Sequence, residues 1–167
     1  RLIAEGVVGP GDRVLEIASN DGAFLAAFAA AGLEVLGVDP AEGPVRAARA
    51  RGIPTRQGYF GRAMAERLAG EFAGGFRLVL ANNVLAHVAD LNGFMSGLGR
   101  VLAPGGRAVI EVPYLGDLID GCEFDTIYHQ HLCYFGVGAL DRLLARHGLV
   151  WAGLERLPIH GGSLRLR

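Results

Sequence analysis

Lysine is absent: the 16 cationic side chains of this 167-residue chain are all arginine. That excludes a Schiff-base lysine and the lysine of a phosphate-binding P-loop. Cysteine is scarce. Cys122 and Cys133 are not a CxxC pair, and two thiols alone build neither a disulfide framework nor a zinc site. Free thiols in a reducing cytoplasm are the expectation. No uncharged run approaches the roughly 20 apolar residues of a membrane span, and no signal-peptide pattern is found. A charge excess of one sign is also missing. The formal net charge is −1, whereas binders of nucleic acid polymers usually carry a basic surplus. The chain therefore reads as a partner of neither nucleic acid nor membrane.

What is present is core-forming material: 51% hydrophobic and 20% charged residues, enough for one domain with a real interior. Both ends read as interior to a longer chain. Residues 1–8 resemble a helix tail without a start, and residue 167 falls within a strand pattern. The expectation is one domain of a larger protein.

Short apolar runs and helical patterns alternate along the chain. Strands are expected at 13–18, 34–38, 54–57, 76–81 and 107–112, with helices at 24–31, 44–51, 62–69 and 91–102 between them. Asp90 stands where a helix N-cap belongs. Residues 114–135 read as irregular, polar and aromatic. A helix at 137–146 follows, then strands at 150–157 and 164–167 joined by His160-Gly161-Gly162. This alternation predicts a doubly wound α/β sheet, with the last two strands antiparallel because their turn is too short for a crossover. Ligands of such sheets bind at the carboxyl ends of the strands.

The residues after each strand are therefore the informative ones. After the first stands Glu16-Ile17-Ala18-Ser19-Asn20-Asp21-Gly22, a polar turn into a helix. It lacks the GxGxxG spacing, and its two acidic groups would repel a pyrophosphate, which disfavours a dinucleotide. Asp39, after the second strand, is placed to accept from both ribose hydroxyls or to cap the turn before Pro40. Asn82 and Asn83, poor strand formers, follow the fourth strand and suit a pocket rim; His87 comes next. The long segment after the fifth strand holds Tyr128-His129-Gln130-His131, groups for proton transfer near neutral pH. Carboxylates at metal-ligand spacing are missing beside His129 and His131, so no metal site is expected. His147, at a helix C-terminus, reads as a dipole partner.

Together these residues resemble a known family. Glu16 to Gly22 occupies the place of the E/D-x-G-x-G-x-G motif of class I S-adenosylmethionine-dependent methyltransferases, and Val101-Leu102-Ala103-Pro104-Gly105-Gly106 resembles the turn before their fifth strand. Ala18 and Asn20 replace two of the motif glycines. EIASNDG, GVDP, ANNVLAHVAD, EVPY, FDTIYHQH and HGGSLR together resemble a narrower group, the nucleotide-diphosphate-sugar C-methyltransferases of deoxysugar and antibiotic biosynthesis. The resemblance implies the seven-stranded Rossmann-like sheet, mostly parallel with an antiparallel last strand. It implies S-adenosylmethionine held by Glu16, Ser19, Asn20, Asp21, Gly22, Asp39, Pro40, Phe60, Asn82 and Asn83. It also implies a methyl acceptor that is a 4-keto sugar carried on a nucleotide diphosphate, methylated at a carbon next to the ketone.

In that reading His131 is the base, Tyr128 and His87 polarise the keto oxygen, and His160 closes the pocket. Gln130 stands where the family usually has glutamate. Full-length members carry a zinc-binding domain before this core and an α/β domain after it, so zinc belongs outside this chain. Another class I small-molecule O- or N-methyltransferase is the alternative. A non-catalytic or dehydrogenase-like nucleotide domain is a third reading, disfavoured by the absent GxGxxG.

Overall fold

The computed structural model describes residues 2–167. Its seven-stranded sheet has the order β3-β2-β1-β4-β5-β7-β6. Strands β1 (Arg13–Ile17), β2 (Glu34–Asp39), β3 (Thr55–Gln57), β4 (Phe76–Asn82) and β5 (Leu102–Pro113) run parallel. β7 (Ser163–Leu166) pairs antiparallel with both β5 and β6 (Leu154–Leu157). The expected architecture is thus the observed one.

Period-two alternation splits the sheet's residues between two apolar layers. Val14, Leu78, Leu80 and Val109 pack beneath α1 (Ala23–Ala30) with Leu25 and Phe28, and beneath Ala48 of α2 (Glu42–Ala50). Leu15, Ile17, Val79, Ala81, Ile110 and Val112 face the other way. They meet α3 (Arg62–Glu71), α4 (Leu91–Val101) and α6 (Val137–Arg146), with Phe94, Leu98 and Leu140 at the centre. This parity decides which face each residue at a strand end serves. Asp90 caps α4 as expected, its Oδ1 accepting from Gly93 N at 2.8 Å, a contribution of about 1 kcal/mol.

Some boundaries differ from those read in the sequence. The fifth strand begins at Leu102 rather than 107, because Phe76 pairs with Leu102 and the register then shifts so that Leu78 meets Arg107. The Ala103-Pro104-Gly105-Gly106 break is a bulge within the strand's length. Residues 114–135 are not wholly irregular: they hold a short helix α5 (Leu115–Asp120) and a 3₁₀ turn, Phe124–Thr126, and a second 3₁₀ turn, Leu85–His87, follows β4. Residues 2–6 form turns where a helix tail is expected; Arg1 lies outside the described residues. No helix is long and apolar enough to cross a membrane among those residues.

Candidate active site

The turn after β1 keeps the geometry of a glycine-rich loop without most of its glycines. Ala18, Asn20 and Gly22 all have positive φ, at 57°, 50° and 74°. These are the three positions at which the class I motif has glycine. Asparagine tolerates this region and alanine does so at a penalty of roughly 1–2 kcal/mol. The loop is held from outside. Asp39 is buried at the end of β2, and its Oδ2 accepts from Asn20 N and its Oδ1 from Ala41 N, both at 2.9 Å. Asp39 therefore does cap the turn before Pro40, and it also braces the first loop. Each oxygen keeps a second lone pair for a ligand.

The other loop residues are placed by packing. A Cβ on Gly22 would lie 3.0 Å from Ile53 Cβ and 3.2 Å from Ala48 Cβ, so Gly22 lets the start of α1 approach α2. Asp21 turns outward, with Oδ2 2.9 Å from Arg51 Nη2 and Oδ1 accepting from Ala23 N. Ser19 is buried against β2, where its hydroxyl fills the space a side chain at Gly37 would need. Glu16 shares the parity of Val14 and is buried on the α1 side, where burial first and the Asp21 charge second push its carboxyl up to about 7. Among the described residues, three buried side-chain oxygens have no partner: Glu16 Oε2, Ser19 Oγ and Asn83 Oδ1. All three lie at the carboxyl ends of β1 and β4. Buried polar atoms are rarely left unpaired except where something else is to be bound.

Two adjoining cavities open at that end of the sheet. The first, of about 480 Å³, is lined by Ala18, Asp39, Pro40, Phe60, Asn83 and Phe94 among others. Phe60 is held edge-on against Phe94, ring centres 5.3 Å apart. The second, of about 540 Å³, lies under residues 113–131 and the turn at 160–162. Asn83 and His87 line both. Asn82 does not join them. Its side chain follows the parity of Leu80 and lines a third cleft on the α1 face with Phe24, Glu111 and Arg165. Of the ten residues expected at the cofactor, Asp39, Pro40, Phe60 and Asn83 line the first cavity. Ser19 and Asn20 stand in the loop behind it, Glu16 is buried in β1 on the α1 side, and Asp21, Gly22 and Asn82 are turned to other tasks.

The proton-transfer candidates come together in the second cavity. Leu132 N donates to Ala86 O at 2.8 Å, which lays the segment after the 3₁₀ turn back across the end of β4. His131 N donates to Tyr128 O at 3.0 Å, so residues 128–131 form a turn rather than an extended stretch. That turn, and not strand alternation, sets Tyr128 beside His131 and leaves His129 exposed. The His131 ring lies 4.2 Å from that of Tyr128 and 4.9 Å from that of His87.

In the neutral imidazoles, backbone carbonyls fix both tautomers, since a carbonyl only accepts. His131 Nδ1 donates to Thr126 O at 2.9 Å, which leaves Nε2 as an acceptor; the Tyr128 hydroxyl lies 3.0 Å from it. His87 Nδ1 donates to Gln130 O at 2.8 Å, so its Nε2 also carries a lone pair. Gln130 thus contributes through its main chain, and its side chain is exposed and does not line the cavity. The residues missed by sequence reasoning are Ala18, Thr126 and the carbonyl of Gln130, because main-chain roles leave no residue-type signal. His147 binds Asn92 Oδ1 at 3.0 Å, away from the site. No cluster of metal-ligating side chains occurs among the described residues.

A family profile described as "Methyltransferase domain" matches residues 4–151. The chain is 40% identical to C-methyltransferase NovU of Streptomyces niveus over 92% of its own length and 36% of that protein's. It is 35% identical to a ubiquinone biosynthesis O-methyltransferase of Bordetella avium over 58% of its length and 40% of that protein's. It therefore spans well under half of either relative. Among solved structures, a methyltransferase from Archaeoglobus fulgidus, titled as SAM-dependent, superposes with TM-score 0.72 at 20% identity, covering 93% of this chain and 68% of that one. Magnesium protoporphyrin IX methyltransferase of Synechocystis with bound SAH superposes with TM-score 0.72 at 18% identity, covering 99% of this chain and 76% of that one. These superpositions show that the fold is one shared with solved methyltransferases, and with the profile match over most of its length the chain belongs to the methyltransferase domain family.

Proposed function

We propose that the chain is the catalytic domain of a C-methyltransferase acting on a nucleotide-diphosphate 4-keto-deoxysugar, at a carbon next to the ketone. The observation that carries it is the His131–Tyr128–His87 cluster, set in a cavity that meets the cofactor cleft at Asn83 and His87. The relationship to C-methyltransferase NovU supports it. The further domains in the longer relatives' lengths are read as partners in holding the nucleotide, with zinc, if any, in one of them.

The first cavity fits S-adenosylmethionine. Asp39 offers spare lone pairs for ribose hydroxyls, Phe60 and Pro40 offer apolar surface for a base, and Asn83 offers an unpartnered buried oxygen. The cofactor, when bound, supplies a methyl group on a positively charged sulfur. A carbon acceptor must then be made nucleophilic by the protein. His131 Nε2, its tautomer fixed by Thr126, takes the proton from the carbon next to the ketone. The Tyr128 hydroxyl, now on that nitrogen, turns to the oxygen on which charge develops. His87 stands where both ligands meet and orients the acceptor.

The test is deuterium wash-in to a thymidine-diphosphate 4-keto-6-deoxyhexose with demethylated cofactor bound. Wild type should exchange the proton, and His131→Ala should lose about 10²–10⁴-fold in exchange rate at unchanged cofactor affinity. Exchange at the wild-type rate in His131→Ala but not in His87→Ala would move the base to His87. Methyl transfer without any wild-type exchange would favour an oxygen or nitrogen acceptor, oxygen being the one named for the O-methyltransferase relatives.

A further inference from the structure

One wall of the acceptor cavity is not explained by the base and its neighbours. His160, Gly161 and Gly162, in the turn between β6 and β7, form it. Their φ angles are 51°, 76° and 133°. Glycine takes such angles freely, but histidine does so only where its surroundings hold it. The ties are visible. Tyr114 N, just past β5, donates to Gly162 O at 2.9 Å, and Gly162 N donates to Ile159 O at 2.9 Å. The Ser163 hydroxyl donates to the same Ile159 carbonyl at 3.2 Å.

Beneath the turn lie two carboxylates from the segment after β5. Any Cβ on Gly162 would overlap Asp117 Oδ2, and any Cβ on Gly161 would overlap the Glu123 carboxylate. Asp117 has only 8% of its side chain exposed, and both its oxygens are taken by Arg156: Nε donates to Oδ2 at 3.1 Å and Nη2 to Oδ1. A bidentate pair of this kind fixes direction as well as distance. Arg156 also lies over the Tyr114 ring, 5.7 Å from its centre. Tyr114, Asp117, Arg156 and Gly162 thus close a ring of contacts around the turn that carries His160. The Arg156 side chain is itself 66% exposed, so the pair is not a core element.

The geometry points to Asp117, acting through Arg156 and the His160–Gly162 turn, as a positioning residue for the methyl acceptor. This rests on the functional reading above and deepens it. His160 is held to meet a hydroxyl or keto oxygen of the acceptor while His131 addresses the carbon. Asp117 and Arg156 line neither the cofactor cleft nor the acceptor cavity but a neighbouring cleft that shares Gly161 and Gly162 with the acceptor cavity, so their effect reaches the acceptor through that turn and not the cofactor. The pair makes and breaks no bond during the reaction; it keeps both its charges and fixes a surface.

The experiment compares wild type with Asp117→Asn, Arg156→Gln and Arg156→Lys. Steady-state kinetics use a thymidine-diphosphate 4-keto-6-deoxyhexose, and calorimetric titration with demethylated cofactor reports the other site. Asp117→Asn and Arg156→Gln should raise the acceptor KM by about tenfold, the size of one lost charge-assisted bond. Cofactor Kd and kcat should hold within about threefold, and Arg156→Lys should recover part of the KM. A second readout needs no turnover. The His160 imidazole resonances, assigned by their loss in His160→Gln, should shift in both variants while those of His87 and His131 stay. Arg156→Gln alters an exposed side chain and keeps the test alive should Asp117→Asn fail to fold. Unchanged KM with unchanged His160 resonances overturns the proposal. So does a cofactor affinity that falls in step with acceptor affinity, the mark of general loosening. Full-length wild-type protein inert toward the keto sugar would overturn the functional reading, while the His160 resonances would still decide whether Asp117 holds the turn.

Discussion

Replacing Glu16 by glutamine should make the protein more stable, and only above mildly acidic pH. Glu16 is buried under the α1 side of the sheet with Oε2 unpartnered, and its carboxyl is raised from 4.5 to about 7 by burial and by Asp21. The folded state therefore holds this proton more tightly than the unfolded chain does. Stability from this group is full below pH 4.5 and is lost as pH rises toward about 7. The loss is at most about 3 kcal/mol, spread over that window. Glutamine has nearly the shape of the protonated acid and never ionises, so Glu16→Gln should match wild type near pH 4.5 and exceed it above pH 7. Taking the difference between the two proteins at each pH cancels every other carboxylate. The assay is urea unfolding followed by the fluorescence of Trp151, the sole tryptophan, with far-UV circular dichroism beside it. The gap between midpoints should widen by about 1–2 M urea from pH 4.5 to pH 8. Midpoints that stay parallel across this range would refute the reasoning, because Glu16 would then carry its charge at no penalty.

Two further outcomes follow from the loop after β1. Ala18→Gly relieves a left-handed alanine and adds chain entropy to the unfolded state, so a net gain of up to about 1 kcal/mol is expected, read as a rise of about 2–4 °C in Tm; a lowered Tm would mean that the conformation carries no strain. Asp39→Asn keeps one acceptor for the two backbone N–H groups it holds and should lose about 1–3 kcal/mol in thermal unfolding. It should also weaken cofactor binding in calorimetric titration, and a lowered Tm with unchanged cofactor affinity would leave Asp39 as a brace with no ribose to hold.

The sheet was legible because its signals are collective. Apolar runs, glycine breaks and helical faces recur often enough that a misplaced end changes nothing in the topology. The start of β5 was misplaced at 107 because Pro104, Gly105 and Gly106 read as a break, while the sheet absorbs them as a bulge between two paired segments. Helix α5 is six residues long, too short to show a period. The end of the sheet at which the first cavity opens is legible in the sequence, the side chains that line it only in part. Asn82 and Asn83 look equivalent in sequence, but β4 ends at Asn82 and Asn83 turns with a φ of 51°, so their side chains line different cavities. Asp39 was rightly placed at the end of β2, yet its two backbone partners depend on how the preceding loop folds. Residue type singles out His87, Tyr128 and His131, which the structure brings together, whereas the carbonyls of Thr126 and Gln130 that bond the two imidazoles belong to atoms every residue has.

The sharing of only Asn83 and His87 between the two cavities has an evolutionary consequence. The first cavity, which the proposed function gives to the cofactor, is built mostly from the first half of the chain. Most of the second cavity, which the proposed function gives to the acceptor, comes from residues 113–131 and from the turn at 160–162. Insertions or substitutions in those two segments leave β1 to β3 and their loops untouched. On the proposed reading, a lineage can exchange its methyl acceptor by rewriting two surface segments while inheriting its methyl donor intact. Drift in acceptor preference should be recorded as variation confined to those segments, with positions 83 and 87 holding still as the hinge between an old specificity and a new one.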